Sequence, residues 1–259
     1  MIWLIETTVF NKDLVARMAS AIRASGAEMR LWDDAWWHDG FPDFDDEVFF
    51  YGSLGNASRL ASDNFGITSF CNVEGFKCST WYPHAEPWLL NRYYEILPAR
   101  SLVEQSDELF KSWQVDQLFV RPDSPLKPFS GRLLEQGKVT LADLDHGFYY
   151  DDENLPVLVS PAQAVEGEWR FVVSTYRPIT GSAYLSDGRT GVGGDIPEDV
   201  WDIAKDIALE LSPPDPIYVM DLCMVNNEIR LLELNPFSGA DLYHCDAAAV
   251  AQAVRQCLS

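Results

Sequence analysis

The segment IYVMDLCMVNNEIRLLELNP, residues 217 to 236, constrains this chain more than any other. Two apolar runs flank Asn226-Asn227, a pair that tolerates left-handed backbone, so the segment reads as a β-hairpin. Each run carries a carboxylate, Asp221 on the first strand and Glu233 on the second, and Asn235 follows. A carboxylate in an apolar strand is costly to bury unless a cation meets it. Either these acids face solvent from an edge hairpin or they face something positive. A two-residue turn at Asn226-Asn227 pairs Val225 with Glu228, sets Asp221 against Leu232 and turns Glu233 to the other face. A three-residue loop over 226–228, with Asn227 left-handed, pairs Val225 with Ile229 and sets Asp221 opposite Glu233. We adopt the second register. It gathers Asp221, Glu233 and Asn235 on one face, a set of oxygen donors that suits the hard cation Mg2+.

Cations stand upstream. In FVRPDSPLKPFSG, Arg121 ends a strand and Lys127 sits in a proline-shaped loop that runs to Ser130 and Gly131. Such a pair is either a phosphate clamp or an ordinary surface loop. In EWRFVVS, the two-residue period of a strand puts Glu168 and Arg170 on one face, as site residues or as a surface ion pair. The stretch GVGGD at 191–195 is not followed by Lys-Ser/Thr, so it is no phosphate-binding P-loop and reads as a flexible loop.

The rest of the chain alternates in character. IWLIE, EMRLW, EVFFYGS and GITSF read as strands. NKDLVARMASAIRASG reads as a helix with Asn11 as N-cap, Leu14, Met18 and Ile22 on one face and Gly26 as stop, and SLGNASRLAS as another. This β-α-β pattern predicts a small parallel sheet. Residues 84–117 read as helical with a break at Pro98. Six strands follow, QLFVRP, PVLVSP, EWRFVVS, GSAYLS and the two of the hairpin, with turns expected at Thr180-Gly181, Asp187-Gly188 and Asn226-Asn227. Helices are expected from Pro197 to Leu211 and at the C-terminus. We divide the chain into a small α/β unit, 1–85, and a larger α+β unit, 86–259.

Of 259 residues, 19 are basic and 40 acidic, a net charge of −21 that disfavours nucleic acid or an anionic membrane as partner. The five cysteines form no CxxC, and the N-terminus has no basic region before Glu6. Reduced thiols and a cytoplasmic location are the expectation. The histidines form no HExxH or HxH, which disfavours zinc. The tryptophans 36, 37, 81 and 88 are read as packing the small unit against the large one, with a recognition surface for a peptide or ring as the alternative.

In order, the cation-bearing strand and Gly/Ser loop, the VLVSP strand, the ExR strand and the D…ELNP hairpin resemble the ATP-grasp superfamily over roughly residues 115 to 245. They are most similar to the clade whose nucleotide site uses an arginine and a nearby lysine. The resemblance implies an α/β N-terminal subdomain followed by an α+β ATP-grasp fold, in which two subdomains hold ATP between antiparallel sheets. It implies Asp221, Glu233 and Asn235 as Mg2+ ligands, Arg121 and Lys127 on the phosphates, Ser130 and Gly131 in the covering loop, and Val159 and Ser160 offering backbone groups to adenine. Glu168 falls near the phosphates or acceptor, with Glu166 or Glu168 as the ribose acid. Arg170 holds the acyl oxyanion or acceptor carboxylate, and Lys127 assists. Many relatives carry lysine where this chain has Arg121, and the two are not equivalent. The implied activity is an ADP-forming carboxylate-amine or thiol ligase working through an acylphosphate, on a peptide, protein or amino acid. The alternatives are an ATP-binding regulatory module and a kinase on the same fold.

Overall fold

The computed structural model describes residues 1–63, 65–144, 152–186, 189–190 and 195–258. It begins with β1 (Ile2–Ile5), α1 (Lys12–Ala24), β2 (Glu28–Leu31), the single turn α2 (Trp36–Asp39), β3 (Val48–Tyr51), α3 (Leu54–Asp63) and β4 (Ile67–Thr68). These strands form a parallel sheet in the order β2-β1-β3-β4. β1 and β3 are apolar throughout because both of their faces are covered. Helix α1 starts where the Asn11 side chain accepts the Leu14 N–H at 2.8 Å, buries Leu14, Met18 and Ile22, and stops before Gly26 at φ 78°.

A connecting stretch holds α4 (Cys78–Trp81) and leads to β5 (Glu95–Pro98) and α5 (Ala99–Trp113). The expected helix over 84–117 therefore forms only from Ala99 onward. Pro98, extended at ψ 144°, caps α5 from outside, and the residues before it join a sheet. Next come β6 (Gln117–Pro122), β7 (Arg132–Glu135), α6 (Leu141–Leu144) and β8 (Pro156–Pro161), giving an antiparallel sheet in the order β5-β8-β6-β7. The chain ends with β9 (Gly167–Ser174), β10 (Arg177–Ser186), β11 (Arg189–Thr190), α7 (Glu198–Glu210), β12 (Ile217–Val225), β13 (Glu228–Pro236) and α8 (Ala247–Leu258). Its sheet is ordered β11-β10-β9-β12-β13.

Alternation along the strands sorts the cores. In the five-stranded sheet Phe171, Val173, Met220 and Leu222 pack under α7, which presents Val200, Ala204, Ile207 and Ala208. The opposite face is divided. Its Val172, Ile217, Val219 and Phe237 join Trp3, Tyr51, Met18 and Val254 in one core shared with the parallel sheet, α1 and α8. Its remaining positions, Glu168, Arg170, Asp221 and Glu233, are polar. In the four-stranded sheet Leu118, Val120, Val157 and Val159 pack under Leu102, Leu109 and Phe110 of α5, which turns Phe119, Arg121 and Ser160 to the other side.

Three expectations are corrected. The hairpin turn is the two-residue one: Val225 pairs with Glu228, and Asn226 and Asn227 sit at φ 49° and 60°. That geometry matches the twist of the strands. A β-bulge between Asp221 and Leu222 then takes up the extra residue Leu232, so Asp221 still opposes Glu233. Thr180-Gly181 lies inside β10; the turn before that strand uses Thr175 and Tyr176, both left-handed at φ 49° and 65°. Trp36 and Trp37 do not bridge the two units. They pack on the outer face of the small sheet with Leu4, Phe50 and Leu60, while Trp81 and Trp88 pack against the large sheet beside Trp169 and Leu222. The turn at Asp187-Gly188 and residues 191–194 lie outside the described residues. Among the described residues no helix is long and apolar enough to cross a membrane.

Candidate nucleotide and metal site

Three neighbouring strands carry one row of charges. Arg170 on β9 pairs in register with Asp221 on β12, which pairs with Glu233 on β13. Arg170 grips Asp221 with a two-pronged contact, Nε to Oδ1 at 2.8 Å and Nη2 to Oδ2 at 2.7 Å. Its Nη1 donates to the Asp241 carbonyl at 2.7 Å. Three of the five guanidinium N–H groups are thereby committed, which fixes the plane and leaves one N–H on each terminal nitrogen. The rings of Tyr184 and Tyr243 stack at 4.9 Å and lie 5.4 and 5.0 Å from that guanidinium.

Across the gap, Arg121 of β6 donates through Nη2 to Glu233 Oε1, and Lys127 Nζ reaches Glu233 at 3.0 Å. Lys127 holds a left-handed backbone at φ 50°, an uncommon state for a residue with a side chain. Burial pushes the Glu233 carboxyl up, but Arg121 and Lys127, helped by Asn235, outweigh it and hold the group at about 2. Burial likewise works against the charge of Arg121, and Glu233 more than offsets it, so Arg121 stays firmly cationic. Asn235 Nδ2 donates to Asp221 Oδ2 at 3.1 Å and also bonds Glu233, so one amide spans both acids.

Between the sheets lies a cavity of about 430 Å3, lined by Arg121, Lys127, Ser130, Gly131, Glu168, Tyr184, Leu232 and Glu233 among others. That is the scale of a nucleotide pocket. Gly131 lets the Phe119 ring lie close, because a Cβ there would come within 2.8 Å of that ring and displace it. Burial raises the Glu168 carboxyl above its ordinary range, opposed by a hydrogen bond from Tyr184. Glu166 is exposed and instead accepts the Asn226 N–H at 3.2 Å, so of the two candidate ribose acids only Glu168 faces the cavity. The Val159 side chain points into the core under α5, and its backbone lies between β5 and β6; Ser160 is past the end of β5, where a free strand edge begins. The Ser160 hydroxyl is fully buried and has no hydrogen-bond partner among the described residues.

The oxygen donors fit a hard cation in kind, but not equally. Glu233 is held by two cations that phosphate could take over, and Asn235 needs only to turn its amide. Asp221, 1% exposed, has both oxygens occupied by Arg170 and Asn235. Sequence reasoning did not find Tyr184, Tyr243 or Asp241. A bulge in β10 between Ala183 and Leu185 aims Tyr184 at Glu168, and no sequence pattern marks it.

A nucleotide-sized cleft between two antiparallel sheets, with cations on one wall and acids on the other, is the ATP-grasp arrangement. The model of an ATP-grasp domain family, R2K_2 (family 2 of its clade), matches residues 101–253, and the chain belongs to that family. No curated protein matches the sequence. Among solved structures it is similar to a RimK domain ATP-grasp protein from Sphaerobacter thermophilus, at TM-score 0.68 and 11% identity over 98% of this chain and 100% of that one. It is similar to D-alanine–D-alanine ligase from Bacillus anthracis complexed with ATP, at TM-score 0.61 and 11% identity over 99% and 96%. The macrocyclase MdnC bound with precursor peptide MdnA from Microcystis aeruginosa follows at TM-score 0.55 and 15% identity over 98% and 100%. At these identities the likeness is one of fold.

Proposed function

We propose that this protein is an ADP-forming, Mg-ATP-dependent ligase that joins a carboxylate to an amine or thiol through an acylphosphate. The observation that carries the reading is the single row Arg170–Asp221–Glu233, whose Glu233 pairs with Arg121 and Lys127 at the wall of a nucleotide-sized cavity. Arg121 and Lys127 bind the triphosphate, exchanging Glu233 for phosphate oxygens, and Ser130 and Gly131 close over it. Ser160, with the backbone near Val159, meets the base, and Glu168 the ribose or phosphates. Glu233 and Asn235, with Asp221 beside them, are the residues that would hold Mg2+, which when bound would supply neutralisation of phosphate charge. Phosphoryl transfer asks mainly for positioning and charge neutralisation, and Arg170, already fixed in plane, directs its two unused N–H groups at the acyl oxygen. The similarity to MdnC, bound there with a precursor peptide, supports a peptide among the substrates, alongside a protein or an amino acid.

The test is release of ADP and phosphate with and without pooled acids and amines. A ligase yields both products only when acid and amine are present. ADP with a stable phosphorylated product indicates a kinase, and ATP binding without turnover a regulatory module; either result overturns the proposal. Glu233→Gln is expected to cut turnover by about 100-fold or more while circular dichroism stays native. Undiminished turnover in that variant removes Glu233 from the site.

A further inference from the structure

The proposed chemistry leaves two tyrosines at the cleft without a role. Tyr184 lies at the β-bulge of β10, where Ala183 opposes Trp169 and Leu185 opposes Glu168. It lines the nucleotide-sized cavity together with Glu168 and Glu233. Burial, with Asp221 and Glu168 nearby, drives the phenol far above its ordinary range, so the hydroxyl keeps its proton and donates to Glu168. Among the described residues Glu168 takes part in no ion pair. Glu233 has two cations to fix its direction, whereas Glu168 has this phenol.

The Tyr184 ring makes a second set of contacts. It stacks on Tyr243 with centroids 4.9 Å apart and planes 5° from parallel. Both rings stand beside the Arg170 guanidinium, 5.4 Å away for Tyr184 and 5.0 Å for Tyr243. Asp221 and the Asp241 carbonyl engage three of its N–H groups, and the rings add apolar surface next to it, where a charge interaction is stronger than in water.

Tyr243 is held in this place at a cost. Its φ of 45° is left-handed, a strained state for an aromatic residue that persists only where neighbouring bonds impose it. Its N–H donates to Asp241 Oδ1 at 2.7 Å, and its carbonyl accepts Arg17. The following N–H groups are tied to β10, His244 to Ser182 Oγ at 3.2 Å and Asp246 to Thr180 Oγ1 at 2.7 Å. On the other side Ser238 Oγ donates to the Phe50 carbonyl at 2.8 Å and the Tyr51 hydroxyl to the Ala240 carbonyl at 2.6 Å. Neither Tyr184 nor Tyr243 belongs to an apolar core of the three sheets, so the strain holds the stack against the charged row and not against the packing of the fold.

We propose that Tyr184 is a positioning residue for both ends of the cleft: its hydroxyl sets Glu168 for the nucleotide, and its ring, backed by Tyr243, steadies Arg170 for the acyl group. The Arg170 half rests on the ligase reading; the Glu168 half needs only nucleotide binding. The first half is tested by a double-mutant cycle, read by calorimetric titration of the full chain with ADP and Mg2+. Tyr184→Phe, which keeps the ring, is expected to weaken ADP binding about tenfold in the wild type, and by about twofold or less when Glu168→Gln is already present. Equal losses in the two backgrounds, or no loss in either, overturn the proposal. The second half is read in turnover with the pooled acids and amines. Tyr243→Leu is expected to lower kcat about tenfold with a shift in KM for ATP of about twofold or less, and Tyr243→Phe to restore kcat. Wild-type kcat in Tyr243→Leu, or a loss that Tyr243→Phe does not restore, overturns it. Should Tyr243→Leu fail to fold, Tyr184→Leu set against Tyr184→Phe makes the same comparison of ring with hydroxyl. Coupled ADP binding without turnover on any acid and amine sinks only the ligase reading, whereas turnover without the coupling sinks only the positioning role.

Discussion

Glu233 answers to two cations at once, and its chemistry follows from that. Its carboxyl sits at about 2 in the fold against an ordinary 4.5, so the fold favours the ionised form. The resulting stabilisation is complete above pH 4.5 and fades as pH falls toward 2. Urea midpoints of the wild type and Glu233→Gln should therefore lie well apart at neutral pH and converge through that acid window. At neutral pH the variant leaves Arg121 buried without its counter-charge, a loss of about 3 kcal/mol. A gap that does not close in acid would show that the stability of Glu233 lies in packing and not in its ion pairs. Arg121 and Arg170 differ in a way that side-chain type alone does not reveal. The first is poised to change partners, while the second is locked by Asp221 and Asp241.

At the scale of elements, strands and helices with strong periodicity were legible: α1, α7 and the strands β6, β8, β9, β12 and β13 stand where alternation and caps put them. The hairpin was legible in its outcome and not in its means. Turn chemistry and the facing of Asp221 with Glu233 looked incompatible, and the bulge at Leu232 reconciles them. A bulge costs one unpaired residue and carries no composition of its own, so sequence could not offer it. For the same reason Tyr184 escaped notice. The stretch before Pro98 misled because its polar and apolar residues fit a helical period, whereas tertiary pairing with β8 decided it. Two predictions belong here. Asn226→Ala with Asn227→Ala removes the side-chain amides that ease left-handed backbone at both turn positions and should cost about 2 kcal/mol by chemical denaturation; an unchanged midpoint would mean the turn relaxes to another type. The turn after α7 is a pH-sensitive joint. Asp215 accepts the Asn72 N–H at 2.9 Å, and burial raises its carboxyl to about 6. Its ionised form therefore weakens the fold, and the favourable state is fully present below 3.8 and lost as pH rises through 6. Asp215→Asn should raise Tm at pH 8 and leave it unchanged at pH 3.5; an effect of equal size at both would exclude this cause.

For the whole molecule, the two units we propose, 1–85 and 86–259, are not two cores. Trp3, Met18 and Tyr51 share one apolar cluster with Val172, Val219 and Val254, while the core of Leu102, Phe110 and Val120 is separate. A fragment of residues 1–85 should thus be unfolded by circular dichroism, because its α1 face loses α8. In calorimetry of the full chain the parallel sheet should melt together with β12 and α8. A folded fragment, or a separate early transition of the parallel sheet, would contradict the shared core.

The segment after β13 is fastened from several directions: by Phe50 and Tyr51 of the small sheet, by Arg17 of α1 on the carbonyls of Tyr243 and Cys245, and by Arg170. Rivets on that seam leave the first and third sheets no freedom to swing past each other. The four-stranded sheet, which carries Arg121 and Lys127, has a core of its own under α5 and none of those fastenings among the described residues. The jaw outside that seam is the one that brings the positive charge.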